Sequence, residues 1–194
     1  MKLPASAHTD RPWRIHEIAP DFRLEDVWAL PATGGPDDFP ELLERMASGE
    51  HRLPGAARVL FAVRLLLGRL LGWDGEDSGL GARVRTLRER LPDDLRDRPA
   101  GPALHAAPFR PLYLTGDEWA AETANRTMHG VVHIGWVPDG SGVHRAHMAV
   151  LVKPNGLLGK AYMAAILPFR HTIVYPGMMR AVERAWKARE AEPA

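Results

Sequence analysis

Nine histidines are the residues of this chain that most invite a chemical role. His129 and His133 lie four residues apart in a run whose alternating pattern predicts a strand. Strand residues rise about 3.3 Å each, so the two rings point the same way roughly 13 Å apart and cannot share one metal ion. His144 and His147 have opposite parity in the next predicted strand. We therefore predict no metal site, and no HExxH sequence occurs.

Other reaction chemistry is limited by what the sequence lacks. Without cysteine there are no disulfides, thiolate nucleophiles or cysteine-bound zinc and iron–sulfur centres. The sequence contains no GxSxG nucleophile turn, GxGxxG dinucleotide fingerprint or GxxxxGK[ST] phosphate loop. Its formal net charge of +1 gives no general attraction for polyanions. We therefore expect no cofactor and no nucleic-acid partner.

A basic pair, Arg170 and His171, follows Pro168 in the last helical segment. A proline removes a helix donor and distorts the preceding turn. The pair could therefore lie at the mouth of a cavity and hold a carboxylate or phosphate. The alternative is an ordinary solvated turn of helix.

The alternation of apolar and polar residues in the predicted strands also favours a ligand pocket. In the strand predicted over 127–137, the face with Val132, Ile134 and Trp136 is apolar and is expected to meet the core or a cavity. The face with His129 and His133 is expected to meet solvent. Aromatic residues with an OH or NH group could complete the pocket, although core packing is their commoner use. The predicted lining is Tyr113, Trp119, Val132, Ile134, Trp136, His147, Tyr162, Ile166, Phe169 and Arg170.

The first half of the chain must position these residues with one strand and several helices. A strand is predicted around residues 26–30, and a helix starts at Asp37 or Asp38 and stops at Gly49. A second, more apolar helix is predicted over 55–71. A short helix over 82–90 and a long irregular loop over 92–108 follow.

The second half is predicted to be a strand meander followed by a helix. Strand patterns over 109–114, 118–124, 127–137 and 143–152 are joined by short turns, which favours antiparallel pairing. From Leu157 the period becomes helical. One face then carries Tyr162, Ile166, Phe169 and Ile173, and Pro168 and Pro176 are expected to kink or break the helix.

Size and composition fit one globular domain. The chain has 194 residues, of which 45% are hydrophobic, and we assign residues 13–190 to a single domain. Residues 1–12 are polar, carry no secretory signal and are predicted to be flexible. The apolar stretch 59–73 contains Arg64 and Arg69 and is too short to span a membrane, so it is either a core helix or an interfacial one. We expect a cytoplasmic protein.

Three segments resemble a bacterial family known as domain of unknown function 2867. They are EWAAETANRTMHGVVHIGWVPDG (118–140), MAVLVKPNGLLG (148–159) and AYMAAILPFRHTIVYPGMMRAVERAW (161–186), with a weaker likeness at DVWALP (26–31). The family is similar in pattern to the helix-grip superfamily, which includes START-like lipid carriers and polyketide cyclases. This resemblance implies a curved antiparallel sheet gripping a long C-terminal helix, with an apolar cavity between them. It supplies no catalytic residues.

Three functions remain open from the sequence. The first is a binding domain for a small apolar or amphipathic molecule, held in a cavity between the sheet and the C-terminal helix. The second is a cyclase- or hydratase-type enzyme with His133 or His147 as general base. The third is a membrane-surface or protein-interaction module that uses the helix at 59–73.

Overall fold

The computed structural model describes residues 1–48, 80, 84–104 and 108–189. These residues form an α+β fold around a curved antiparallel sheet of six strands, in the order β1-β2-β6-β5-β4-β3. The strands are β1 Lys2–Leu3, β2 Arg23–Gly34, β3 Arg110–Leu114, β4 Glu118–Ala124, β5 Met128–Pro138 and β6 His144–Pro154. The fold class predicted from the sequence is confirmed. The apolar helix predicted over 55–71 lies outside the described residues.

Turn chemistry explains why β4, β5 and β6 form the predicted meander. The Asn125 side chain accepts hydrogen bonds from the backbone N–H groups of Thr127 (2.8 Å) and Met128 (3.1 Å), which closes the β4–β5 hairpin. Gly140 (φ 89°) and Gly142 (φ 93°) supply the left-handed backbone of the β5–β6 turn. The long early strand β2 then pairs with the last strand, β6.

Helices cover both faces of this sheet. The α-helices are α1 Ser6–Thr9, α2 Ile15–Ile18, α3 Phe39–Ala47, α4 Asp93–Arg96, α5 Gly156–Phe169 and α6 Tyr175–Ala188. Short 3₁₀ turns span Pro36–Asp38 and Leu87–Arg90, and a π-helix spans Arg170–Val174. The predicted helix after Asp38 is confirmed as α3. The helix predicted over 82–90 is a 3₁₀ turn in its described part.

One face of the sheet, here called the helix face, packs against α3 and α6. Its core contains Ile134 and Trp136 from β5, Phe39 and Leu43 from α3, and Trp186 from α6. Apolar residues at helical spacing in α3 and α6 bury one side of each helix there, as the sequence pattern requires. This core fixes α6 across the sheet.

The C-terminal helical run is distorted where its two prolines predict. Pro168 lies inside α5 and Pro176 lies in the first turn of α6, and the stretch between them is π-helical. The hydroxyl of Thr172 donates to the carbonyl oxygen of Pro168 (2.9 Å). A proline cannot donate to the helix ladder, so the local pattern widens instead of continuing straight.

The opposite face, here called the N-terminal face, is covered by residues 4–22 and 84–98. Its core includes Trp13, Ile15 and Ile18 packed against Val131 and Leu151 of the sheet. Trp13 lies directly over Gly135, where a side-chain Cβ would stand 2.6 Å from the indole ring. The missing side chain at Gly135 therefore makes room for Trp13.

The N-terminal residues contact the sheet, and part of the predicted 92–108 loop is helical. Lys2 and Leu3 pair with Trp28 and Val27 of β2, and His8 is buried. Helix α4 lies within the region predicted to be an irregular loop. Flexibility of residues 1–12 stays a prediction.

Candidate functional site

The best candidate site is a group of side chains around Asp26, a buried carboxylate on the helix face. Oδ2 of Asp26 accepts hydrogen bonds from Nη2 of Arg170 (2.5 Å) and from the hydroxyl of Tyr175 (2.8 Å). Nε2 of His171 lies 3.0 Å from Oδ1. The indole of Trp28 packs against Tyr175, with ring centroids 4.8 Å apart. We call Asp26, Trp28, Arg170, His171 and Tyr175 the Asp26 cluster.

Positively charged side chains near Asp26 compensate its negative charge. Nζ of Lys2 lies 3.3 Å from Oδ1 of Asp26, and Nη1 of Arg170 lies 3.9 Å from a carboxylate oxygen of Glu25. Burial raises the pKa of Tyr175 although the neighbouring Arg170 guanidinium lowers it, so the hydroxyl keeps its proton and donates to Asp26. A buried carboxylate with partners of this kind is stable only while they stay in place.

Four buried polar atoms of the cluster have no hydrogen-bond partner among the described residues. Nη1 of Arg170 and Nε1 of Trp28 are donors, Oδ1 of Asp26 is an acceptor, and Nε2 of His171 can act as either. The side chains of Arg170 and Trp28 both pack against Tyr175, since the guanidinium carbon of Arg170 lies 5.6 Å from the centre of its ring. Buried polar groups are nearly always hydrogen-bonded, so each exception calls for an explanation. The donors on Arg170 and Trp28 suit an oxygen acceptor.

The π-helix places the basic side chains at this point. Arg170 and His171 open the π-helical stretch, and Tyr175 begins α6 immediately after it. The wider turn changes which side chains face the sheet, and such π stretches occur frequently at functional sites. The sequence prediction that Arg170 and His171 follow a helix distortion is therefore confirmed, and Asp26 is the partner that it missed.

Part of the sheet beside the cluster is apolar and not fully covered. Val132 of β5 and Val150 of β6 lie on the helix face and are only partly buried. Helix α5 passes this region, where Tyr162 and Ile166 are half-buried and Phe169 is 47% exposed. An apolar surface next to two free donors is the combination that small-molecule sites use.

The structure divides the other predicted pocket residues between the two faces. Trp119, Ile134 and Trp136 are fully buried in the core of the helix face, and Nε1 of Trp136 donates to the carbonyl oxygen of Gly35 (2.9 Å). Tyr113 and His147 belong to the opposite face. The predicted set therefore does not form one pocket, although Val132 and Arg170 do lie on the same face.

The prediction that the histidine face of β5 meets solvent is wrong, because residues 4–22 and 84–98 cover it. His129 is bonded to Glu122 (Nε2 to Oε2, 2.7 Å) and His133 to Glu118 (Nε2 to Oε2, 2.9 Å), and all four side chains are buried. The spacing in the sequence indicates these pairs: two glutamates four residues apart on β4 face two histidines four residues apart on β5.

Each of these Glu–His pairs holds one covering segment. Glu118 accepts hydrogen bonds from the backbone N–H of Arg14 (3.0 Å) and from the hydroxyl of Tyr113 (3.0 Å). Glu122 accepts from the backbone N–H of Leu87 (3.0 Å) and from the hydroxyl of Thr86. Burial would raise the pKa of Glu122, but these hydrogen bonds and the one from His129 lower it overall.

A chain of imidazoles extends from the first pair. Nδ1 of His133 lies 3.2 Å from Nε2 of His8, and Nδ1 of His8 lies 3.1 Å from Nε2 of His16. Burial, with a smaller contribution from the nearby His133, lowers the pKa of His8 to about 3. We call Glu118, Tyr113, His133, His8 and His16 the Glu118 network. It was missed because the sequence gives no periodic signal over residues 4–22.

Metal and membrane sites were also assessed in the described part of the chain. It contains no group of three or more histidine or acidic side chains arranged to hold a metal ion. Within the same residues, no helix has the length and apolar character needed to cross a bilayer.

Comparison with known proteins identifies a family. A family model described as "Protein of unknown function (DUF2867)" matches residues 18–177, which confirms the resemblance seen in the sequence. No curated protein and no solved structure matches the chain. The whole Asp26 cluster lies inside the matched range, whereas His8 and His16 of the Glu118 network lie outside it.

Proposed function

The chain belongs to the DUF2867 family, and we propose that it binds a small amphipathic molecule between the sheet and the C-terminal helix. The single observation that carries this proposal is that two buried donors, Nη1 of Arg170 and Nε1 of Trp28, have no hydrogen-bond partner in the part of the chain that the structure describes. An oxygen of the ligand completes their hydrogen bonding. Its apolar part lies along the partly buried side chains Val132 and Val150.

The oxygen is most favourably part of a carboxylate. Arg170 is already bound through Nη2 to Asp26, which fixes the plane of the guanidinium and leaves Nη1 in a set direction. A charged acceptor forms a stronger hydrogen bond to a guanidinium than a neutral one does. Lys2 adds positive charge near Asp26, so a second carboxylate is tolerated beside it.

The fixed geometry also makes the site specific. Tyr175 and Asp26 hold Arg170 from one side, and Trp28 stands against the same tyrosine. Donors that are positioned before binding lose little conformational entropy when the ligand arrives. The proposed arrangement is of the helix-grip kind, with α5 and the π-helix forming one wall and β5 and β6 the other.

The test compares two probes with the same alkyl chain and opposite head charge. We expect dodecanoate to bind the full chain in isothermal titration calorimetry and dodecyltrimethylammonium to bind far more weakly, because only the carboxylate satisfies Arg170 and Trp28. Arg170→Lys keeps a positive charge beside Asp26 but removes the spare donor, and should weaken dodecanoate binding about tenfold, or 1.4 kcal/mol.

Arg184→Gln is the matched control, since Arg184 lies exposed on α6 and is not one of the residues of the Asp26 cluster. It should leave the affinity for dodecanoate unchanged. Equal binding of the two probes, or equal affinity of Arg170→Lys and the wild type for dodecanoate, would contradict the proposal.

A further inference from the structure

A cavity lies at the edge of the N-terminal face, away from the Asp26 cluster. Its volume is about 500 Å³, within the usual range for small-molecule sites. Its lining residues include Trp13, three arginines and three acids, namely Arg11, Arg14, Arg98, Asp94, Asp117 and Glu118.

Two of the three arginines are available to an anion. Nε of Arg98 donates only to the backbone carbonyl of Asp94, and in the described residues neither Arg98 nor Arg11 forms an ion pair with a carboxylate. Arg14 is paired with Asp94 (2.8 Å). Asp117, another acid of the lining, accepts a hydrogen bond from the hydroxyl of Thr115.

The hydrogen bonds of Glu118 fix the protons of the imidazole chain. An ionised carboxylate only accepts hydrogen bonds, so opposite the ionised form of Glu118 all three partners donate: the Arg14 backbone, Tyr113 and Nε2 of His133. Nδ1 of His133 is then an acceptor and takes the Nε2 proton of His8. By the same rule Nδ1 of His8 accepts from Nε2 of His16. All three neutral rings are Nε2–H tautomers that donate towards Glu118.

Three rings that all donate in the same direction can pass a proton from one to the next, as a proton relay does. A proton from solvent that binds Nδ1 of His16 allows the Nε2 proton of His16 to pass to His8. The Nε2 proton of His8 then passes to His133, and that of His133 to Oε2 of Glu118. One N–H bond breaks as each new bond forms. Glu118 ends protonated, and the three rings end as neutral Nδ1–H tautomers. His16 is half-buried and therefore open to solvent, whereas His8 and His133 are not.

We infer that the cavity binds a small carboxylate and that binding draws a proton from solvent through His16, His8 and His133 to Glu118. The carboxylate pairs with Arg11 and Arg98, which brings a second negative charge close to Glu118. Two neighbouring carboxylates cannot both stay ionised without cost, so Glu118 takes up a proton. Among the other titratable groups, Tyr113 faces Glu118 and His147 lies near His8.

The experiment measures proton uptake on binding, with benzoate as the probe. Isothermal titration calorimetry at about pH 8, where free histidine is neutral, is run in two buffers of different ionisation enthalpy. The wild type should take up about one proton per benzoate bound. Glu118→Gln, which mimics the protonated acid, should bind benzoate more tightly and without proton uptake.

Two controls separate this site from the others. Glu122→Gln changes the second Glu–His pair, which is not connected to His8, and should behave as the wild type does. Arg98→Gln should weaken benzoate binding, whereas Arg170→Lys, in the Asp26 cluster, should not. The wild-type measurement alone overturns the inference if benzoate does not bind, or if it binds without proton uptake.

Histidine ¹⁵N spectra give an independent check. The wild type should show Nε2–H tautomers at His8, His16 and His133. In Glu118→Gln the amide can donate to His133, and all three rings should become Nδ1–H tautomers. A change confined to His133, or an Nδ1–H tautomer at His8 in the wild type, would show that the rings are not coupled and would overturn the relay.

Discussion

The two faces of the sheet carry buried polar groups of opposite character. In the Glu118 network both carboxylate oxygens accept hydrogen bonds from protein groups, and the same is true of Glu122. In the Asp26 cluster two buried donors, on Arg170 and Trp28, have no partner among the described residues. The comparison teaches that burial of charge alone does not mark a ligand site. A saturated network holds structure together, whereas an unsaturated one leaves hydrogen-bonding capacity for a ligand.

The largest expected effect is the loss of stability in Glu118→Ala. This substitution leaves the Arg14 N–H, the Tyr113 hydroxyl and the His133 ring without their acceptor, and should lower the free energy of unfolding by at least about 3 kcal/mol. Urea denaturation measures it. Asp117→Ala, a neighbouring exposed change, should stay within about 0.5 kcal/mol. Similar losses for the two variants would mean that the network does not hold the N-terminal layer.

Acid should weaken the same layer. The pKa of His8 is lowered to about 3 in the fold by burial, against an ordinary 6.5, so only the unfolded chain binds its proton as the pH falls below 6.5. Stability is therefore full above pH 6.5 and is lost towards pH 3, by at most about 1.4 kcal/mol per pH unit from His8. Urea midpoints at pH 7.5 and 5.5 measure the slope. The slope should flatten in His8→Asn, and an unchanged slope would exclude His8 as its source.

Gly135→Ala should loosen the N-terminal face without touching the Asp26 cluster. The added Cβ would stand 2.6 Å from the Trp13 ring, so Trp13 must shift, at a cost of about 1–3 kcal/mol. Gly116→Ala is the control, because nothing lies within 4 Å of its Cβ position. Thermal unfolding with Trp fluorescence follows both variants. Dodecanoate affinity should be the same in both, and a loss confined to Gly135→Ala would show that the two faces are coupled.

The smallest effect is expected for Tyr175→Phe in the Asp26 cluster. It removes the hydrogen bond that Tyr175 donates to Asp26 and the one that it accepts from Arg170. Arg170, Lys2 and His171 remain beside Asp26, so the change should cost about 1 kcal/mol of stability. Tyr113→Phe is the matching change in the saturated network. It should cost as much or more, because among the described residues Glu118 forms an ion pair with His133 and with no lysine or arginine. The two denaturation curves compare the clusters directly.

The sequence predicts the sheet well where local chemistry decides the outcome. Alternating residues and the turn residues Asn125 and Gly140 define β4, β5 and β6, and the two prolines predict the distortion that contains Arg170. These signals act within a few residues of each other. They therefore need no knowledge of the tertiary structure.

What the sequence could not give are the contacts between distant segments. Asp26 meets Arg170 across 144 residues, and His8 meets His133 across 125. Helices α1 and α2 have four residues each, too few to show a helical period. The histidine face of β5 therefore looked free to meet solvent, and Asp26 looked like an ordinary strand residue. Only the equal spacing of Glu118 and Glu122 with His129 and His133 hinted at the buried pairs.

The most direct test of the account is a crystal structure of the full chain with dodecanoate. We predict a carboxylate oxygen within about 3 Å of both Nη1 of Arg170 and Nε1 of Trp28, with the alkyl chain along Val132 and Val150. A structure in which the two donors stay unoccupied at saturating dodecanoate, or bond to protein groups instead, would contradict the claim that this cluster is the binding site.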